Sequence, residues 1–415
     1  MSGKIFPIKT DTACRLKWSW STLYLNNGLT SSCHRSSKSI LDPEKFDQFH
    51  NTQNKIADRQ SMLDGQWPGG GCEYCMEIEQ AGGASDRVFQ NKIPDIYPRE
   101  LDRNAYQLHV QPAILEVFFS NTCNLKCIYC EPGLSSAIQA EDKKFDGSLL
   151  TDLRFEENNK YKQFAPKFWS WFEHNYHTLQ RLQVLGGEPF LQKDLMNLLE
   201  FFDSNPCPNL EFNIVTNLCV SSDIVEKVSG KMADLLTQNK LGRVDIQASV
   251  DCWGSGQEYV RTGFNSALFD HNIKILIKKN VFRIGLLSTV CSLTIPEMQQ
   301  LVKKYQEWSS MQEIFWYMHM VMPTDGFLSP VIFGSDYLVQ ELQQMYNSLP
   351  NETWDQKQTS ITLLGIIKKI QQHKVENSQR KFELINYLNG IDKRRGLNWK
   401  NTFPWLTKEC EHVVQ

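Results

Sequence analysis

Three cysteines, Cys123, Cys127 and Cys130, fall within the stretch Asn121-Thr122-Cys123-Asn124-Leu125-Lys126-Cys127-Ile128-Tyr129-Cys130, spaced by three residues and then by two. Thiolates hold iron–sulfur clusters, and an ordinary electron-transfer cubane takes four of them. Three local thiolates without a near fourth leave one iron of a [4Fe–4S] cluster lacking a protein ligand. A metal with an open position can bind a substrate or cosubstrate, whereas a closed site is structural. The competing reading is a zinc knuckle, which wants a fourth Cys or His close by. None follows until His174.

A second set comprises Cys14, Cys33, Cys72 and Cys75. Between the first two lies an alternating run, Trp20-Ser21-Thr22-Leu23-Tyr24-Leu25, ending in Asn26-Asn27-Gly28. Alternation into Asn-Gly predicts a hairpin, because the turn needs positive φ. A hairpin flanked by cysteines, together with the loop Cys72-Glu73-Tyr74-Cys75, brings four thiolates toward one point. The same four serve a cluster or a structural zinc ion equally well.

The elements that must position these residues alternate strand and helix. Strands are predicted at Leu115–Ser120, Arg181–Leu185, Leu210–Asn217, Val244–Asp251, Arg283–Val290 and Ile314–Val321, with helices at Phe164–Leu179, Lys193–Phe202, Ile224–Asn239, His271–Lys278 and Pro296–Ser309. Aromatics at helical spacing in Phe164–Leu179 read as core-facing. Pro206-Cys207-Pro208 reads as the close of one strand–helix unit, and Glu141–Asn158 as an exposed loop with a short helix. Lys92–Arg99 reads as a linker. In α/β folds ligands gather beyond the carboxyl ends of strands, which is where the Cys123 loop falls. In the last strand either Trp316, Met318 and Met320 or Tyr317, His319 and Val321 face the interior. Helices are expected at Tyr337–Leu349, Thr359–His373 and Gln379–Leu388, followed by a charged, aromatic tail. Cys207, Cys219, Cys252, Cys291 and Cys410 default to buried, inert thiols.

With these elements in view, C-x3-C-x2-C resembles the signature of the radical S-adenosylmethionine (SAM) superfamily. Gly186-Gly187-Glu188, one strand later, is similar to that superfamily's Gly-Gly-Glu motif, and Arg261-Thr262-Gly263 to its Arg-x-Gly segment. The N-terminal cysteines resemble the SPASM/twitch auxiliary-cluster module, although here they precede the barrel and supply four ligands rather than seven. The resemblance implies an α/β fold: a partial (β/α)6 TIM-like barrel over residues 101–326, a Cys-rich module over 1–100 and a helical extension over 327–415. It implies a [4Fe–4S] cluster on Cys123, Cys127 and Cys130 with one open iron that SAM chelates. A second, auxiliary [4Fe–4S] cluster, or zinc, would sit on Cys14, Cys33, Cys72 and Cys75. SAM contacts are expected from Gly186, Gly187 and Glu188 at the methionine amine, Asn217 near the ribose, Ser249 at the carboxyl end of the fourth strand, and Arg261 at the carboxylate. Val290 and Tyr129 are expected beside adenine.

The implied activity is reductive cleavage of SAM to a 5′-deoxyadenosyl radical that abstracts hydrogen from a peptide or protein side chain, or from a small molecule. The implied electron donor is of flavodoxin or ferredoxin type. A non-catalytic iron–sulfur sensor is the reading from another class. Across 415 residues the hydrophobic share is 41% and the formal net charge is −3, so no basic field points to nucleic acid. The start lacks an apolar signal core and no run is long enough to span a membrane, so a cytoplasmic protein is expected. Twelve cysteines in that setting point to metal or redox chemistry rather than disulfides.

Overall fold

The computed structural model describes residues 10–33, 35–80, 85–92, 107–150 and 159–410. The expected linker lies outside them beyond Lys92. In chain order the strands are β1 (Trp20–Tyr24), β2 (Leu29–Ser31), β3 (Ser39–Ile40), β4 (Ile114–Phe118), β5 (Lys126–Cys127), β6 (Arg181–Leu185), β7 (Cys207–Thr216), β8 (Leu241–Ser249), β9 (Arg261–Thr262), β10 (Arg283–Val290) and β11 (Ile314–Met320). The fold is α/β, parallel strands alternating with helices. The chain forms two compact units: Met1–Asn121 with Glu157–Ile214 and Leu235–Val244, and Thr122–Glu156 with Val215–Asp234 and Asp245–Gln415.

In the first unit β1 and β2 form the expected hairpin, Thr22 opposite Ser31, with Gly28 at φ +66° in the turn. β1 also pairs in parallel with β4, from Trp20 opposite Ile114 to Tyr24 opposite Phe118. β4 then pairs with β6, and β6 with β7, all in parallel. Every residue of β1 is buried, as in strands covered on both faces. Its polar side chains are therefore partnered: Ser21 with His50, and Thr22 with Glu116. The Tyr161–Asn175 helix buries Phe164, Phe168, Trp171 and Phe172, an i, i+4, i+7, i+8 stripe, so these aromatics are core residues as read. Pro206-Cys207-Pro208 does not close a unit. The Cys207 amide donates to Lys240 O at 2.8 Å and opens β7, and an exposed Pro208 is tolerated at the start of a strand.

In the second unit β8 pairs in parallel with β10, and β10 with β11. Trp316, Met318 and Met320 are the buried set of β11, and Tyr317 and His319 are exposed. The Trp316 ring lies 5.2 Å from Tyr305 of the Met298–Ser309 helix, and its indole donates to Ser288 Oγ at 2.8 Å. Tyr317 and His319 therefore occupy the other face of the strand. Glu141 and Asp142 are not in an exposed loop. They are buried on the Ser136–Lys144 helix, which Ser135 caps through Ile138 N, because Arg394 and Arg395 supply countercharge. The last long helix, Ser378–Arg395, runs seven residues past Leu388, reaching those arginines. Among the described residues no helix is long and apolar enough to cross a membrane.

Candidate cluster site

The cysteine loop is held by backbone before any side chain acts. Lys126-Cys127 pairs antiparallel with Arg261-Thr262, and Ile128 N donates to Val260 O at 2.9 Å. The Arg-x-Gly spacing follows from that approach. Gly263 takes φ +101°, and a Cβ there would lie 3.1 Å from Asn124 O and from the Leu125 side chain. A glycine lets the two segments close together where another residue would hold them apart.

Around the sulfurs the side chains supply N–H donors and positive charge. Asn217 Nδ2 lies 3.9 Å from Cys123 Sγ and 3.0 Å from Asn124 Oδ1, and Leu125 N lies 3.5 Å from Cys123 Sγ. Arg261 Nη1 lies 3.9 Å from Cys127 Sγ. Burial pushes the Cys127 thiol up, opposed by the nearby Arg261. Cys130 is pushed up by burial and then by Cys127 and Cys123.

Asp251 is the hub that fixes this arrangement. Its carboxylate accepts from Tyr129 Oη (2.5 Å), Arg261 Nε (2.8 Å), Arg261 Nη2 (2.9 Å) and Thr289 N (2.8 Å). The Arg261 guanidinium also lies 5.5 Å from the centre of the Tyr129 ring. Asp251 is fully buried and Arg261 nearly so, and a bidentate guanidinium is the group that best satisfies a buried carboxylate. Thr289 carries the arrangement on to His319, 3.2 Å from Thr289 Oγ1. Val290 alternates with Thr289 along β10, so it lies on the opposite strand face, fully buried. Ser249 ends β8 opposite Leu287 of β10.

A clasp from the C-terminal helix completes the surroundings. Arg395 grips Glu141 and also donates from Nη1 to Lys126 O (2.8 Å) and Thr262 Oγ1 (3.1 Å). Tyr387 Oη donates to Ile128 O at 2.5 Å. Asp251, Thr289 and Tyr387 are not among the site residues expected from sequence, and Arg395 is expected only as part of the charged tail. Asp251 carried a further signal, an acid at the carboxyl end of a parallel strand.

The Gly-Gly-Glu turn belongs to the first unit. Gly186 and Gly187 take φ +82° and +56°, and a Cβ on Gly186 would lie 2.5 Å from the Phe118 ring. Glu188 is fully buried and accepts from Phe190 N at 3.0 Å, capping the short turn after it. Gln192 Nε2 donates to Gly186 O at 2.5 Å.

The N-terminal cysteines also lie in the first unit. Cys14 and Cys72 share a core with Leu16, Trp18, Trp20 and Met62, and Cys33 packs against it. Burial and then Cys33 push Cys14 up to about 12, with Cys72 adding to the rise; burial pushes Cys72 up to about 11, with Cys33 and Cys75 adding. A backbone amide faces one of the sulfurs, Arg35 N at 3.4 Å from Cys33 Sγ. All twelve cysteines are free. Among the described residues no three Cys, His, Asp or Glu side chains converge as a preformed single-ion site.

These donor sets fit iron–sulfur ligation. N–H groups directed at cysteine sulfur, and positive charge beside it, accompany clusters and set their potentials.

No family profile matches the chain. Over 103 residues, a quarter of its length, the chain is 27% identical to the molybdenum cofactor biosynthesis protein moc-5 of Caenorhabditis elegans, and it covers 14% of that protein. Among solved structures, anSMEcpe with bound AdoMet and a Kp18Cys peptide is 15% identical, with 57% of this chain and 59% of that one covered at a TM-score of 0.34. Streptococcus suis SuiB bound to precursor peptide SuiA is 15% identical, with 75% and 64% covered at a TM-score of 0.38. TM-scores of this size do not by themselves establish a shared fold.

Proposed function

We propose that the chain is a radical SAM enzyme that removes a hydrogen atom from a peptide or protein side chain. The observation that carries this reading is the placement of Cys123, Cys127 and Cys130 on one short loop pinned by the β5–β9 pair, with Asn217 and Arg261 directed at two of the sulfurs. When bound, a [4Fe–4S] cluster on Cys123, Cys127 and Cys130 with one open iron supplies the electron that splits the sulfonium of SAM.

The remaining work falls to the chain. Asp251 holds Tyr129 and Arg261 in one orientation, so the ring and the guanidinium need no rearrangement when SAM arrives. In this reading Tyr129 serves adenine, Asn217 the ribose and Ser249 a neighbouring part of SAM, whereas Arg261 is committed through Nε and Nη2 to Asp251 and Val290 lies on the far face of β10, so neither makes the contact its place in the sequence suggests. The parallel strands and their helices support a partial (β/α)6 barrel as the scaffold. A flavodoxin- or ferredoxin-type protein would deliver electrons in the cytoplasm.

Cys14, Cys33, Cys72 and Cys75 are read as a second [4Fe–4S] site. Zinc would draw each sulfur to about 2.3 Å from a single ion, whereas a cubane spreads four thiolates over four irons. The same four thiolates would satisfy either group, and the cluster is preferred for its company with the Cys123 loop.

The test is anaerobic reconstitution with iron and sulfide, followed by dithionite and SAM. Wild type should release 5′-deoxyadenosine and Cys127→Ala should not. A fully loaded wild type that leaves SAM intact would overturn the reading.

A further inference from the structure

Beside the N-terminal cysteines the interior of the first unit is basic. Lys17 (2% exposed), Lys55 (3%) and Arg59 (0%) are buried together, though isolated buried cations are costly unless compensated. Lys17 follows Cys14 by one helical turn, its amide donating to Cys14 O at 3.0 Å, and its ammonium pairs with Asp58 Oδ2 at 2.5 Å. Lys55 Nζ donates to Ser21 Oγ, Thr30 Oγ1 and Phe49 O, each at 2.8 Å. Arg59 clamps the carbonyls of Lys17, His50 and Leu108.

The carboxylate that acts on all three is Asp58. Lys17 keeps its charge beside that carboxylate, whereas burial, then Arg59 and Lys17, hold Lys55 well below its ordinary value, so Lys17 and Arg59 carry the positive charge of this interior. Burial alone would lower Lys17, yet Cys72, Asp58 and Cys33, in that order, hold it above its ordinary value. Lys17 is buried one helical turn from Cys14, in the segment that carries the first of the four sulfurs. The Cys33 loop is in turn tied to the Cys72 loop through Ser37 N and Gly70 O at 2.7 Å. Four thiolates around a [4Fe–4S]2+ core carry two net negative charges, and one-electron reduction adds a third.

We propose that Lys17 is a positioning residue whose buried ammonium compensates a cluster on Cys14, Cys33, Cys72 and Cys75 and sets how readily that cluster accepts an electron, with Arg59 supplying further positive charge. This rests on the four-cysteine reading above. A cation beside a cluster favours the more negative, reduced form, and Asp58 offsets part of that effect. Removing the cation should therefore disfavour reduction, and removing the carboxylate should favour it.

The experiment uses the full chain carrying Cys123→Ala/Cys127→Ala/Cys130→Ala, reconstituted anaerobically, so that iron reports only the N-terminal centre. Iron and sulfide per chain are measured, and the midpoint is followed by EPR during titration with dithionite. Lys17→Met should make reduction roughly tenfold less favourable, about 59 mV for a one-electron couple. Lys17→Arg should stay close to the parent, and Asp58→Asn should move the opposite way. Loss of iron in Lys17→Met with retention in Lys17→Arg also supports compensation by charge. Iron retained with an unmoved midpoint in both Lys17→Met and Asp58→Asn overturns the role of Lys17, as does iron loss in Lys17→Met and Lys17→Arg alike. A parent that binds only zinc, or no metal, overturns the four-cysteine reading instead.

Discussion

Replacing Arg395 by methionine tests whether the C-terminal helix holds the cysteine loop in place. The guanidinium is 4% exposed and its partner Glu141 is 7% exposed. The substitution keeps most of the aliphatic stem and removes the pair to Glu141 together with the bonds to Lys126 O and Thr262 Oγ1. Deleting one member of a buried ion pair costs about 3–5 kcal/mol, mostly because the other charge is left uncompensated. Lys126 Nζ, 2.9 Å from Glu141 Oε1, offsets part of this, so the lower end, about 3 kcal/mol, is expected. For a folding unit of this size that is a fall in melting temperature of about 6–12 °C. Because the lost bonds hold both sides of the β5–β9 pair, iron at Cys123, Cys127 and Cys130 should be released faster to a chelator. Adding Glu141→Gln to Arg395→Met should restore part of the stability, with a coupling of about 1–3 kcal/mol. Strictly additive single and double variants, with unchanged iron release, would refute the clasp.

Gly263→Ala should cost about 1–3 kcal/mol, because φ +101° disfavours any side chain and the added Cβ meets Asn124 O; iron retention after gel filtration checks it, and full retention contradicts the close approach. A pH dependence should come from His50. Burial, then Arg59 and Lys55, hold its imidazole well below the ordinary value. The unfolded chain therefore takes up this proton first. The contribution is fully present above pH of about 6.5 and is lost as pH falls toward the depressed folded value. Urea midpoints from pH 8 down to 5 should decline less steeply in His50→Gln than in wild type, and parallel declines would remove His50 as the cause.

What the sequence revealed was local. The Asn26-Asn27-Gly28 turn follows from turn chemistry, the aromatic stripe from Phe164 to Phe172 from a period of 3.6 residues, and the β6 and β10 boundaries from short apolar runs closed by polar or glycine residues. What it concealed was pairing between distant positions. Nothing near Asp251 announces that Tyr129, 122 residues earlier, and Thr289, 38 residues later, donate to it. Glu141 and Asp142 look like loop residues because the arginines that permit their burial lie 252 to 254 residues away. Arg261 was noticed for its neighbour Gly263, yet its fork engages a carboxylate that no motif marked. The basic interior was missed for a related reason, since lysine and arginine read as surface residues until an anionic neighbour is known.

The parallel pairing of β1 with β4 bears on how this chain can be cut. Thr22 meets Glu116 across 94 residues, so the hairpin is no detachable appendage. A shortened version starting after residue 40 would lay bare the flank of Ile114-Leu115-Glu116-Val117-Phe118, an apolar ribbon with open amides that invites self-association. Clones meant to isolate the later strands should therefore keep the first turn and its hairpin, or expect inclusion bodies. By the same geometry, a nascent chain must wait for residue 118 to leave the ribosome before its earliest strand can find its neighbour.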